Sequence, residues 1–208
     1  MKRLLAVLTA LALATALYAD VFSHPFSGDT ASLPGLSSGD TPVVSSYTQT
    51  KTVPRLNRKL VSSGTFLLKP GTGMAWDASK PYESVLLVGR DEVRRRIGQG
   101  KTVALDVADN QIFSSIARAI ESIVSGDYST ALEYFSLYFE DGPEGWTLGF
   151  VPKAAALSSY MDNVVVKGHD GVMESVLLEE VSGGSVLYEF DGLDARELTD
   201  EEEKLFAL

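Results

Sequence analysis

His24 and His169 are the only histidines in the 208-residue chain, and there is no cysteine. A thiol nucleophile, a cysteine-ligated zinc and an iron–sulfur cluster are therefore excluded, and a multi-histidine metal site would have to be built around one of two positions. The sequence holds no G-x-S-x-G elbow, Walker loop, H-E-x-x-H helix or glycine-rich dinucleotide fingerprint, and Gly71-Thr72-Gly73 reads as a turn. Acids are the remaining source of reaction chemistry, because two carboxylates across a cleft can hydrolyse a glycoside. Asp141 and Glu144, however, flank Pro143, His169 and Asp170 fall in a hairpin turn, and Glu201-Glu202-Glu203 is a charge run. A solvated surface is the expected place for each. No catalytic residue, metal or cofactor is expected, and the chain is read as non-enzymatic. With 28 Asp+Glu against 18 Lys+Arg and a net charge of −10, it repels phosphate backbones, so nucleic acid is not an expected partner.

The elements that position any site begin after a targeting segment. Lys2 and Arg3 precede an apolar run of 14 residues from Leu4 to Leu17, and Tyr18-Ala19 closes it. This run is shorter than the ~18–20 residues that span a bilayer core. It reads as a secretory signal peptide over residues 1–19, cut after Ala19. No cysteine follows the cut to carry a lipid, so a soluble periplasmic protein is expected, with 16 basic groups against 28 acidic. Residues 20–41 are rich in Ser, Gly, Pro and Asp and read as a flexible leader in which His24 is solvated. A single domain over 42–208 follows.

Within that domain, Val43 to Val53 and Leu60 to Leu68 read as paired strands. Gly73 to Trp76, Ser84 to Val88, Glu92 to Ile97 and Lys101 to Leu105 extend an antiparallel meander, with Asp77 to Pro81 as a break. The period then changes. Asp109 or Asn110 caps a helix whose Ile112, Phe113, Ile116, Ile120, Ile123 and Val124 recur at helical spacing until Gly126. A short helix follows from Ser129 to Phe135. Strands resume from Ser136, through Trp146 to Pro152, Met161 to Lys167, Val172 to Val181 and Ser185 to Phe190, with hairpin turns at Gly168-His169-Asp170-Gly171 and Ser182-Gly183-Gly184. Glu197 to Leu208 reads as a short acidic helix. The sum is about ten strands with helices inserted in the middle: a mainly β, α+β fold in which one strongly curved antiparallel sheet has helices over its concave side.

Large apolar residues recur at alternate positions on these strands: Phe66, Leu68, Met74, Trp76, Val85, Leu87, Trp146, Leu148, Phe150, Tyr188 and Phe190. Each taken singly is ordinary core. Together, with one amphipathic helix to cover them, they suit a cavity between sheet and helix, the usual setting for an apolar ligand.

The order of these residues resembles the LolA family of periplasmic lipoprotein carriers. Tyr47-Thr48-Gln49 is similar to the family's aromatic-x-Gln element. Gly64-Thr65-Phe66, Lys69-Pro70, Trp76, Pro81 and Glu83 to Val88 follow the family's run of Gly, basic-Pro, Trp, Pro and apolar strand. Gly126-Asp127, Leu132 and Phe135 precede Trp146, Leu148 and Val151-Pro152-Lys153, and Asp170-Gly171 matches a family turn.

The resemblance implies an incomplete antiparallel barrel, or half-barrel, with a helical lid over a hydrophobic cavity. It implies a lipid-binding lining of Phe66, Leu68, Met74, Trp76, Val85, Leu87, Trp146, Leu148 and Phe150, with Ile116 and Ile120 on the lid. Lys69 stands where the family has an arginine that governs lid opening, and a lysine lacks that residue's forked contact. The family's opening amphipathic helix has no counterpart in the leader.

The function so implied is that of a monomeric carrier taking acylated lipoproteins from inner to outer membrane. Its implied partners are an inner-membrane releasing complex and an outer-membrane receptor. A regulatory module that senses lipid or lipoprotein on the same fold is the alternative, and a carboxylate-based envelope glycan hydrolase is a third.

Overall fold

The computed structural model describes residues 21–35, 40–56, 58–89, 92–105, 114, 117, 120, 121 and 127–207. The signal peptide expected over 1–19 lies outside the described residues, as do Ile116 and most of the helix expected between Asp109 and Gly126.

Eleven strands form one sheet, every neighbouring pair antiparallel: β1 Val43–Val53, β2 Arg58–Lys69, β3 Gly73–Lys80, β4 Ser84–Gly89, β5 Val93–Ile97, β6 Val103–Ala104, β7 Phe135–Gly142, β8 Gly145–Pro152, β9 Met161–His169, β10 Val172–Glu180 and β11 Ser185–Ala195. Among the described residues, three short α-helices whose bounds are defined accompany them: α1 Ser129–Tyr134, α2 Ala155–Ser158 and α3 Asp200–Leu205. The strand order β6-β5-β4-β3-β2-β1-β11-β10-β9-β8-β7 consists of two meanders spliced where the first strand meets the last. β6 and β7 stay unpaired with each other, so the sheet does not close into a barrel. Val, Thr and Tyr fill β1 because branched and aromatic side chains pack well on a pleated surface. Asp170 (φ 49°) and Gly171 (φ 78°) make the two left-handed residues that a tight β9–β10 hairpin requires.

Alternation gives the sheet two faces. The inner face holds the main core, including Tyr47, Phe66, Leu68, Met74, Trp76, Trp146, Leu148, Phe150, Val164, Val166 and Val176. Ser114, Ala117, Ile120 and Glu121 are helical, and Ile120 packs into this core at 2% exposure. Gly168 leaves room for the Trp146 ring, whose Cζ2 lies 2.2 Å from where a Cβ would be.

The outer face has its own smaller core of Val44, Leu67, Ala75 and Leu87, covered by Leu198, Leu205 and Phe206. Helices expected only on the concave side thus lie on both: α3 covers the outer face. Nor does the acidic run at its start remain free in solvent. Thr199 and Glu202 form a capping box, with Thr199 N–H donating to Glu202 Oε2 (2.8 Å) and Glu202 N–H to Thr199 Oγ1 (3.3 Å). The Arg196 guanidinium grips both Glu202 oxygens at 2.8 and 2.9 Å. That grip pulls the Glu202 carboxyl down from its ordinary 4.5 to about 2.

The leader differs from its expected flexible form. Val21 is buried, the Phe26 N–H donates to Leu137 O (2.9 Å), and Phe139 N–H donates to His24 O (3.1 Å). Residues 21–26 therefore lie along β7 and occupy backbone groups that an edge strand would leave open. Leu33 joins the main core, and the Tyr128 hydroxyl donates to the Pro34 carbonyl. The expected break at Asp77 to Pro81 is also shorter, because β3 runs on to Lys80 and Asp77 pairs with both Thr65 and Val85.

Candidate functional site

On the inner face, between the two meanders, lies a cavity of about 510 Å³. Its apolar lining includes Trp76 from β3, Leu86 from β4, Ile120, Tyr160, Met161 from β9, Val176 and Leu178 from β10, and Val186 and Tyr188 from β11. Ladder register brings these side chains together: Trp76 is opposite Leu86, Val176 opposite Tyr188, and Leu178 opposite Val186. Opposite residues in an antiparallel pair share a face, so each pair lies as one row in the wall. A second cavity, of about 660 Å³, adjoins it and shares Gln49, Lys51, Trp76, Leu86 and Tyr188. Both volumes fall within the ~300–1,000 Å³ of small-ligand sites.

The polar part of the lining is sparse and specific. Lys51 Nζ and Glu180 Oε1 form an ion pair at 3.1 Å. Trp76, at 7% exposure, keeps its Nε1–H buried and without an acceptor among the described residues. A buried donor left unpaired costs about 1–3 kcal/mol. The Tyr47 phenol is pushed up to about 12 by burial and then by the Asp77 charge, and burial likewise raises Tyr188, whose ring lies 6.0 Å from that of Tyr47. Both phenols therefore remain neutral across physiological pH. Trp76 stacks at a tilt on Phe66 (5.2 Å) and Tyr188 (6.1 Å), which fixes its indole in the shared wall.

The structure divides the residues expected at the site into three groups. Trp76 and Ile120 line the 510 Å³ cavity. Phe66, Leu68, Met74, Trp146, Leu148 and Phe150 lie on the same inner face but form its packed core, all at 7% exposure or less. Val85 and Leu87 lie on the outer face: Val85 is opposite Asp77, and Leu87 is opposite Ala75 in the outer core. The physical reason is the two-residue period of a strand, in which a shift of one residue exchanges the faces. Leu86 and Val88 are the inward residues of β4.

Lys69 is likewise corrected. It follows the inward Leu68 and so points outward, where its Nζ donates to Glu203 of α3 at 2.6 and 2.8 Å and stands 5.9 Å from the Phe206 ring. It therefore holds the C-terminal helix on the outer face instead of controlling a lid over the cavity. At the neighbouring turn, the Gly71 N–H donates to Glu121 Oε1 at 3.4 Å. Leu86, Val176, Leu178 and Val186 were not anticipated as lining. The alternation of apolar residues on either side of Ser182-Gly183-Gly184 is the signal that marks three of them.

No family model and no curated protein matches the chain. Solved structures do. A LolA superfamily protein of Nitrosomonas europaea is similar at 10% identity and a TM-score of 0.42, over 78% of this chain and 90% of the other. An outer membrane lipoprotein-sorting protein domain of Vibrio parahaemolyticus is similar at 11% identity and a TM-score of 0.43, over 81% of this chain and 92% of the other.

Proposed function

We propose that the protein is a non-enzymatic periplasmic carrier that takes the acyl chains of lipoproteins into the inner-face cavity and shuttles them from inner to outer membrane. The observation that carries this reading is the 510 Å³ cavity itself, walled by apolar rows from two meanders that meet at β1 and β11. Each CH₂ removed from water contributes about 0.8 kcal/mol, so partial burial of one acyl chain yields several kcal/mol. The Trp76 Nε1–H, without a partner among the described residues, is a donor available to the ester or amide carbonyl at the head of such a chain. The helical residues Ser114, Ala117, Ile120 and Glu121 act as the cover, with Ile120 as its apolar contact.

Release needs no covalent step. Non-directional apolar contacts let cargo pass to any receptor whose apolar site binds it better.

The test is to purify the chain from the periplasm without detergent and identify bound molecules by mass spectrometry. An acylated lipoprotein is expected, and its recovery is expected to vanish in a folded Leu178→Glu variant. An empty, folded protein that takes up no acyl-peptide would overturn the reading.

A further inference from the structure

Register places several chain reversals at one end of the sheet: Val53 faces Arg58 across the β1–β2 tip, Thr52 faces Ser185 beside the β10–β11 turn, and Ser84 faces Ile97. Large apolar side chains left exposed gather at this end, among them Leu56 (61%), Leu60, Val61, Tyr82 (57%), Tyr160 and Val181. Both cavities lie here too: Leu60, Val61 and Tyr82 line the larger, and Tyr160 and Val181 line the smaller.

The first meander, whose tips supply most of this end, runs against the charge of the whole chain. Residues 42–105 carry 11 Lys+Arg against 4 Asp+Glu, whereas residues 106–208 carry 5 against 21. Arg55, Arg58, Lys59, Lys80 and Arg95 stand among or beside the exposed apolar side chains, and none holds an ion pair among the described residues. The nearby acids are Glu83 on the β3–β4 turn, Asp162, Glu179, which accepts from Asn163 Nδ2 (2.8 Å), and Glu180, which is engaged by Lys51. The opposite end is different in kind. Its β7–β8 and β9–β10 turns present Asp141, Glu144 and Asp170.

A solvated surface requires neither several exposed apolar groups together nor unpaired cations interleaved with them. An anionic lipid surface satisfies both, because apolar tips enter the headgroup region while Lys and Arg meet phosphates. We propose that this end of the sheet docks on a bilayer bearing anionic phospholipid, with the β1–β2 hairpin inserted and the cavity facing the headgroups. The docking rests on the end's own side chains. Only its purpose, passing acyl chains through the mouth, rests on the carrier reading.

The hairpin tip allows the two ideas to be separated, because Arg55, Leu56 and Arg58 are absent from both cavity linings. The experiment is flotation of the full chain with phosphatidylcholine vesicles, with and without phosphatidylglycerol, beside a solution assay of acyl-peptide uptake. Binding is expected only with phosphatidylglycerol and is expected to weaken about tenfold or more when salt rises from about 0.05 to 0.5 M. R55E/L56S/R58E is expected to lose vesicle binding by at least about tenfold while keeping acyl-peptide uptake. Equal binding to both vesicle types, or undiminished binding of that variant, would overturn the proposal. Binding to polyglutamate without binding to anionic vesicles would also overturn it and assign the cations to an acidic protein partner. Failure of acyl-peptide uptake with intact docking would instead strike the carrier reading alone.

Discussion

The two faces of the sheet are made from the same strands by the same alternation, yet they are closed in different ways. On the outer face, Val44, Leu67, Ala75 and Leu87 are sealed by a six-residue helix held through a capping box, a two-pronged Arg196–Glu202 contact and the Lys69–Glu203 pair. On the inner face, the core packs densely at Phe66, Leu68, Leu148 and Phe150, then gives way to two cavities beside Trp76. Specific polar ties close the outer face. The inner face stays open beside Trp76, where, on the carrier reading proposed above, mainly apolar contact would both hold a ligand and let it go.

The comparison is broken most directly at neighbouring residues of β4. Leu87→Glu puts an unpaired charge into the sealed outer core, and we expect loss of the fold, seen as a collapsed unfolding transition in urea. Leu86→Glu alters a half-buried cavity wall, so the protein should remain folded while acyl-peptide affinity falls by more than about tenfold. A stable Leu87→Glu protein without acyl binding would reverse the assignment of the faces.

A smaller effect is expected from Leu67→Ala, which empties a fully buried site on the outer face. It should cost about 2–5 kcal/mol in urea unfolding and leave acyl affinity unchanged.

The ties on α3 come next. Arg196→Ala should lower stability by less than Leu67→Ala does, again with no change in binding. Because folding lowers the Glu202 carboxyl from 4.5 to about 2, its contribution is present above pH 4.5 and is lost as pH falls toward 2. Glu202→Gln should flatten that part of the stability–pH profile; an unchanged slope would remove Glu202 as its source.

Lys51→Ala is the mildest, at less than about 1 kcal/mol, because the ion pair is partly exposed. It should alter acyl affinity more than stability.

Most of the sheet was legible before the structure. Strand positions follow from apolar alternation and from turns such as Asp170-Gly171, whose left-handed backbone only a few residue types accept. The facing of β4 was not, because Ser84 to Val88 is apolar on both faces: Val85 and Leu87 are as hydrophobic as Leu86 and Val88. A strand buried on both sides carries no alternation to read. The role of Lys69 was hidden for a related reason, since its partner Glu203 lies 134 residues away in a run that resembles a solvated tail. The docked leader was equally hidden: backbone hydrogen bonds from His24 and Phe26 to β7 depend on no side-chain type. Trp76 and Ile120 lie in the lining of the cavity, whose β10–β11 half, Val176, Leu178 and Val186, carries no family motif to mark it.

That β6 and β7 do not pair with each other has a mechanical consequence. In a closed barrel, widening the lumen means pulling one strand from its neighbour and giving up a ladder of hydrogen bonds. Here the row of strands ends at β6 on one side and β7 on the other, so the sheet can flex like the covers of a book around the β1–β11 spine with every ladder intact. On the carrier reading, acyl guests of different length and branching would then be accommodated by the same spine.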